Sequence, residues 1–153
     1  MSDSLSERIA NEIKTAMRAR DSERLSSLRY LQAAIKQKEV DARKALSDAE
    51  VTAIIERQVK QRRESIDAFE KAGRTDSAQH EKNELAILQE FLPEAASQDE
   101  VNKVIETAVA QATEKGLSGG AAMGTVMGQV KQSLAGRVDM AAVSKQVREK
   151  LGM

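Results

Sequence analysis

Cysteine is absent from this 153-residue sequence, which removes disulfides, thiolate metal sites and thiol nucleophiles together. Histidine occurs once, at His80, so a catalytic triad, a multi-histidine metal site and a histidine-pair acid/base mechanism are excluded. Tryptophan is missing, aromatic residues make up 2% and proline appears once, at Pro93. That composition suits helices and lacks what β-sandwiches use to fill their cores, so the expected class is all-α. No run of 18 apolar residues exists, which removes a membrane-spanning helix. Residues 1 to 20 carry Asp3, Glu7, Arg8, Glu12, Lys14, Arg18 and Arg20, leaving no apolar stretch for a signal peptide, and the expectation is a cytoplasmic protein. Net charge is lacking too: 24 basic residues balance 24 acidic ones, so any electrostatic function must come from local separation of charge.

What is present is helical punctuation. Three S-x-x-E boxes, Ser4 to Glu7, Ser47 to Glu50 and Ser97 to Glu100, each predict a helix start in which side chain and backbone satisfy two orphan amides reciprocally. Apolar periodicity then predicts helices over about 4–18, 22–46 and 48–72, and a fourth from Thr75 or Asp76 that must stop at Pro93. Three more follow over about 98–115, from Ser118 through Leu134, and from Asp139 onward. The expected architecture is a four-helix N-terminal domain over 1–93, a hinge over 94–97 and a smaller three-helix domain over 98–153.

Charge interrupts the apolar stripe of the third helix, whose apolar face is centred near Arg62 with Gln58 beside it. The turn at Gly73 lies midway between Arg62 and Glu84, so an antiparallel hairpin would bring those two level. This predicts a structural ion pair, with Glu81 as the second-choice partner, because either charge buried alone costs roughly 3–5 kcal/mol. A bound carboxylate or phosphate on Arg62 is the alternative. Around that hairpin the charge is uneven: Lys14 to Lys44 holds nine basic and four acidic residues, whereas Arg74 to Glu100 holds two basic and seven acidic. With Arg57, Lys60 and Arg63, the second and third helices would make a basic surface suited to phosphate backbone, with Tyr30 as its one aromatic. A solvated face with pairs such as Lys60 and Glu64 is the competing reading. Gly120, Gly124 and Gly128 recur every fourth residue and predict close helix packing along one side of the sixth helix. The loop before that helix lacks the Lys and Ser/Thr of a phosphate-binding loop. No nucleophile, base and oxyanion set can be assembled, so no catalytic residue, metal or cofactor is expected.

The string Lys60-Gln61-Arg62-Arg63-Glu64-Ser65-Ile66, continued by Phe69, Ala72-Gly73-Arg74, Asp76, Glu81, Glu84 and Phe91-Leu92-Pro93, resembles the YqeY family. Leu28-Arg29, Ala34-Ile35-Lys36, Met123-Gly124-x-Val126-Met127 and Gly136-Arg137-x-Asp139 extend the resemblance over nearly the whole chain. The family is similar to the C-terminal helical tail of the B subunit of glutamine-dependent aminoacyl-tRNA amidotransferase, and it carries the label of a carbon-nitrogen ligase with glutamine as amido-N-donor. The resemblance implies a two-domain helical protein acting as a tRNA-interacting accessory module, or as an adaptor for a partner protein of the amidation or translation machinery. The residues expected to meet RNA are Arg57, Lys60 and Arg63 in the first domain, with Lys131, Arg137, Lys145 and Arg148 in the second. Where family members often carry Pro and Lys ahead of the Gly-Arg-x-Asp turn, this chain has Lys131-Gln132-Ser133-Leu134-Ala135.

Overall fold

The computed structural model describes residues 4–153. Among them are seven α-helices and no strand: α1 (Leu5–Ala19), α2 (Ser22–Ala42), α3 (Asp48–Lys71), α4 (Thr75–Gln89), α5 (Gln98–Glu114), α6 (Gly119–Leu134) and α7 (Met140–Lys150). They form two compact units, Met1–Pro93 with α1 to α4 and Glu94–Met153 with α5 to α7.

Local chemistry sets the helix ends. Ser4 and Ser47 close complete capping boxes: the Glu7 N–H donates to Ser4 Oγ at 3.2 Å, and the Ser4 N–H donates back to Glu7 Oε2 at 3.3 Å. At Ser97 only half of the box forms, because the Glu100 N–H donates to Ser97 Oγ while the Glu100 carboxylate turns to Arg137. The second helix stops at Ala42, four residues short of the sequence expectation. Arg43 takes a left-handed cap there (φ 55°), and Leu46 N–H donates to Glu39 Oε2. Ala42, at the helix end, is exposed. Gly73, at φ 73°, makes the turn between α3 and α4 that a side chain would strain.

Each unit buries its own cluster. In the first, Ile9, Leu28, Leu31, Val51 and Ile55 are completely enclosed, with Leu88 and Phe91 closing the cluster from the end of α4. In the second, Ile105, Val126, Val130 and Val147 are enclosed among Ala108, Ala112, Ala122 and Leu134. Alanines from α5 and α6 let those helix backbones approach, and valine and leucine fill the remaining space. Residues 94–97, expected as a hinge, are fastened within the second unit: Ala96 N–H donates to the Arg137 carbonyl at 2.9 Å, and Arg137 Nε donates to the Glu94 carbonyl at 2.9 Å.

Candidate nucleic-acid interface

Three arginines are tied to carboxylates of other segments, while the cations expected from the sequence to meet RNA are, Arg137 apart, left open. Arg62 continues the buried row Val51, Ile55, Gln58 and Val59 along α3, and its Nη1 lies 3.0 Å from Glu81 Oε2 and 3.1 Å from Glu84 Oε2 on α4. One guanidinium therefore bridges two carboxylates one helical turn apart, where a single partner, Glu84, was the first choice of the sequence argument. The Arg62 guanidinium also lies 5.4 Å from the Tyr30 ring centroid, a cation–π contact. Arg24 does similar work in this unit, with Nη2 at 2.9 Å from Glu12 and Nη1 at 2.6 Å from Glu90. The hydrogen bond to Glu90 raises the Arg24 pKa, against the opposing effect of burial. Arg24 counts toward the basic excess of α2 in the sequence, yet it is held between Glu12 and Glu90.

Arg137, expected in the sequence to meet RNA, is the clamp of the second unit. Its Nη1 and Nη2 donate to Glu100 Oε1 and Oε2 at 2.7 and 2.8 Å while its Nε holds the Glu94 carbonyl. Three of its five N–H donors are engaged, two of them in a bidentate pair with one carboxylate. The Glu100 carboxyl is held below the usual carboxylate range, first by the Arg137 hydrogen bonds and then by its charge, with burial opposing. The Gly136-Arg137-x-Asp139 motif thus has a structural explanation. Gly136 supplies the positive φ of 75°, Arg137 fastens the start of α5, and Asp139 Oδ1 accepts from the Ala141 N–H to cap α7.

The glycine row is corrected as well. Gly120, Gly124 and Gly128 are exposed, and a Cβ built on any of them meets nothing within 4 Å. The packing face of α6 is the adjacent row Ala122, Val126, Val130 and Leu134. A four-residue spacing identifies a row on a helix without saying which row faces inward.

Arg57, Lys60, Lys131, Lys145 and Arg148 are exposed and Arg63 is half-buried, and none of the six forms an ion pair among the described residues. The Lys60 and Glu64 pair of the competing reading does not form. Arg57, Lys60 and Arg63 follow one another at three-residue intervals and fan over an arc of about 120° of α3. Lys131 on α6 and Lys145 and Arg148 on α7 belong to the second unit.

Beside the α3 arc lies a feature that the sequence argument missed, a groove of about 550 Å³ between α2 and α3. Ala34, Leu46, Ala53 and Ile54 line it together with Tyr30, Gln58 and the cations Lys38 and Arg57. The sequence signals were Gln58 on an apolar stripe and Tyr30 alone among basic residues; which elements stand apart enough to leave space is a tertiary property. Among the described residues no group of three or more His, Asp or Glu is placed to hold a metal ion, and no helix is long and apolar enough to cross a membrane.

These features define an all-helical protein of two small helix packs, each locked by arginine clamps and each carrying unpaired surface cations. The chain belongs to the YqeY family, whose model, described as Yqey-like protein, matches residues 6–151. It is similar to Altered inheritance of mitochondria protein 41, mitochondrial, of Pyrenophora tritici-repentis, at 30% identity over 95% of this chain and 80% of that protein. The proteins of the same name from Eremothecium gossypii and Lachancea thermotolerans are 39% and 32% identical over 60% and 61% of this chain. In both cases the match spans about half of the relative, 52% of its length.

The relatives' names overturn the cytoplasmic expectation, since all three are called mitochondrial. Mitochondrial import segments are amphipathic and arginine-rich, so an apolar stretch is not the signal of that compartment.

Proposed function

We propose that this protein is a noncatalytic binding module that holds structured RNA, tRNA foremost, by phosphate neutralisation, and that its two compact units are two domains carrying separate parts of the contact. The observation that carries the reading is the sorting of its charges. Arg24, Arg62 and Arg137 are each tied to carboxylates of other helices or loops, whereas Arg57, Lys60, Arg63, Lys131, Lys145 and Arg148 are in no ion pair among the described residues. In a chain with no net charge, unpaired cations gathered on one arc of α3 and on two helices of the second unit are the local separation that phosphate contact needs. The resemblance to the amidotransferase tail supports tRNA as the first RNA to test. Arg62, which might have served a ligand carboxylate, is already satisfied, and the amide-transfer label finds no nucleophile to rest on.

The test is fluorescence anisotropy of the full chain with bulk tRNA and with a DNA duplex of similar length at two salt concentrations. Binding should prefer tRNA and weaken with salt. Neutralising Lys60 or Lys131 should each lower the logarithmic salt slope by about 0.7–0.9. Neutralising Arg137 should instead act through stability. Absence of binding at low salt would overturn the proposal and leave the exposed surfaces as docking sites for a protein partner. The two-domain part is tested by urea unfolding, where Ile105→Ala should shift one of two transitions and leave the other in place.

A further inference from the structure

The groove between α2 and α3 joins four features. Its volume, about 550 Å³, lies within the range of about 300–1,000 Å³ typical of small-ligand sites. Its walls are the short or branched apolar side chains Ala34, Leu46, Ala53 and Ile54. At Tyr30 an aromatic ring, 57% exposed, contributes a π-face to the lining, backed by Arg62, which Glu81 and Glu84 hold in place. Gln58 is 6% exposed and lines the groove, and its amide has no hydrogen-bond partner among the described residues.

The amide decides what kind of ligand fits. With no protein partner, the amide presents a donor and an acceptor side by side to whatever occupies the groove. An alkyl chain would satisfy neither, and a carboxylate would leave the Gln58 oxygen unpaired. A flat ring edge that carries its own donor beside an acceptor satisfies both, as the adenine edge does with glutamine. The cations lining the groove, Lys38 and Arg57, are in no ion pair among the described residues. The one acid there, Glu50, is occupied by the Ser47 N–H and hydroxyl at 3.2 and 3.0 Å. The ligand is therefore planar, hydrogen-bonding at its edge and anionic close by, which is the chemistry of a nucleotide.

We propose that this groove receives one unpaired nucleotide of a bound RNA, its base against Tyr30 with its edge on the Gln58 amide and its phosphate between Arg57 and Lys38. The inference rests on the RNA-binding reading and refines it. The choice of an RNA nucleotide over a free one follows from Arg57, which belongs both to the groove and to the α3 arc. Phosphates flanking a base in the groove would run on to Lys60 and Arg63.

The test uses the full chain with three probes at fixed salt: an RNA hairpin with an unpaired loop, a fully paired RNA duplex of equal charge, and adenosine monophosphate. The variants are Gln58→Leu, which removes the amide at similar volume, and Ala53→Phe, which fills the groove from an exposed position. The hairpin should bind more tightly than the duplex, and each variant should weaken hairpin binding about tenfold while leaving duplex affinity unchanged. Far-UV circular dichroism and the melting temperature identify a variant that has lost its fold, and Ala53→Phe, which leaves Gln58 untouched, then decides alone. If hairpin binding is insensitive to Gln58→Leu and Ala53→Phe, the groove proposal fails while the phosphate reading stands. If adenosine monophosphate binds as tightly as the hairpin and with the same sensitivity, the occupant is a free nucleotide and the proposal is overturned. If no RNA binds at all, both readings fall.

Discussion

Removing Arg62 should cost the first unit more than removing any surface charge, and the geometry gives the size. Both carboxylates lie within 3.1 Å of one nitrogen, so the bridging oxygens of Glu81 and Glu84 are no more than about 6 Å apart. Arg62→Leu leaves them facing each other with side-chain exposures of 13% and 17%. At an effective dielectric of about 20, two like charges at about 6 Å repel by about 3 kcal/mol, in line with the roughly 3–5 kcal/mol expected on breaking a buried pair. For a unit of this size that lowers the melting temperature by roughly 12–24 °C. The companion is the triple variant Arg62→Leu, Glu81→Leu, Glu84→Leu, which removes the charges together and replaces desolvated ions with apolar volume. It should lie within about 1 kcal/mol of the parent. Urea unfolding followed by far-UV circular dichroism measures both, an apt probe for a helical chain without tryptophan. If the single and triple variants lose equal stability, or if the single variant loses less than about 1 kcal/mol, the like-charge argument is wrong.

Three further outcomes follow from particular residues. Gly124→Ala and Gly128→Ala should each stabilise α6 by about 0.5–1 kcal/mol, because the added methyl meets open space and a helix-interior glycine costs backbone entropy; a loss in thermal melts would restore the packing role denied here. Glu100 has a folded-state pKa depressed by Arg137, so its contribution is complete above its unfolded value and is lost as pH falls through the depressed one. Melting of the parent should therefore drop over that acid range, and Glu100→Gln should flatten the drop; parallel curves would refute the linkage. Ser27 is buried with its hydroxyl oxygen unpartnered, so Ser27→Ala should be neutral or stabilising by up to about 1 kcal/mol in urea unfolding, and a clear loss would reveal a missing partner.

The sequence by itself determined what depends on near neighbours along the chain. The boxes at Ser4 and Ser47, the turn at Gly73 and the buried rows Val51-Ile55-Val59 and Val101-Ile105-Ala108 are local, because a cap needs residues three apart and a stripe needs only helical periodicity. Arg62 was legible for the same reason: a charge on an apolar stripe requires a partner, and the hairpin turn placed two acids level with it. Tertiary structure decided what depends on contacts between distant segments. Glu100 abandons its capping box for Arg137, 37 positions away. Arg24 leaves the basic surface because Glu90 reaches it across 66 positions. The glycine row of α6 faces outward because the alanine and valine row beside it buries more apolar surface. The groove beside Tyr30 and Gln58 exists only because α2 and α3 leave that volume unfilled, a matter of how helices pack rather than of what either one prefers alone.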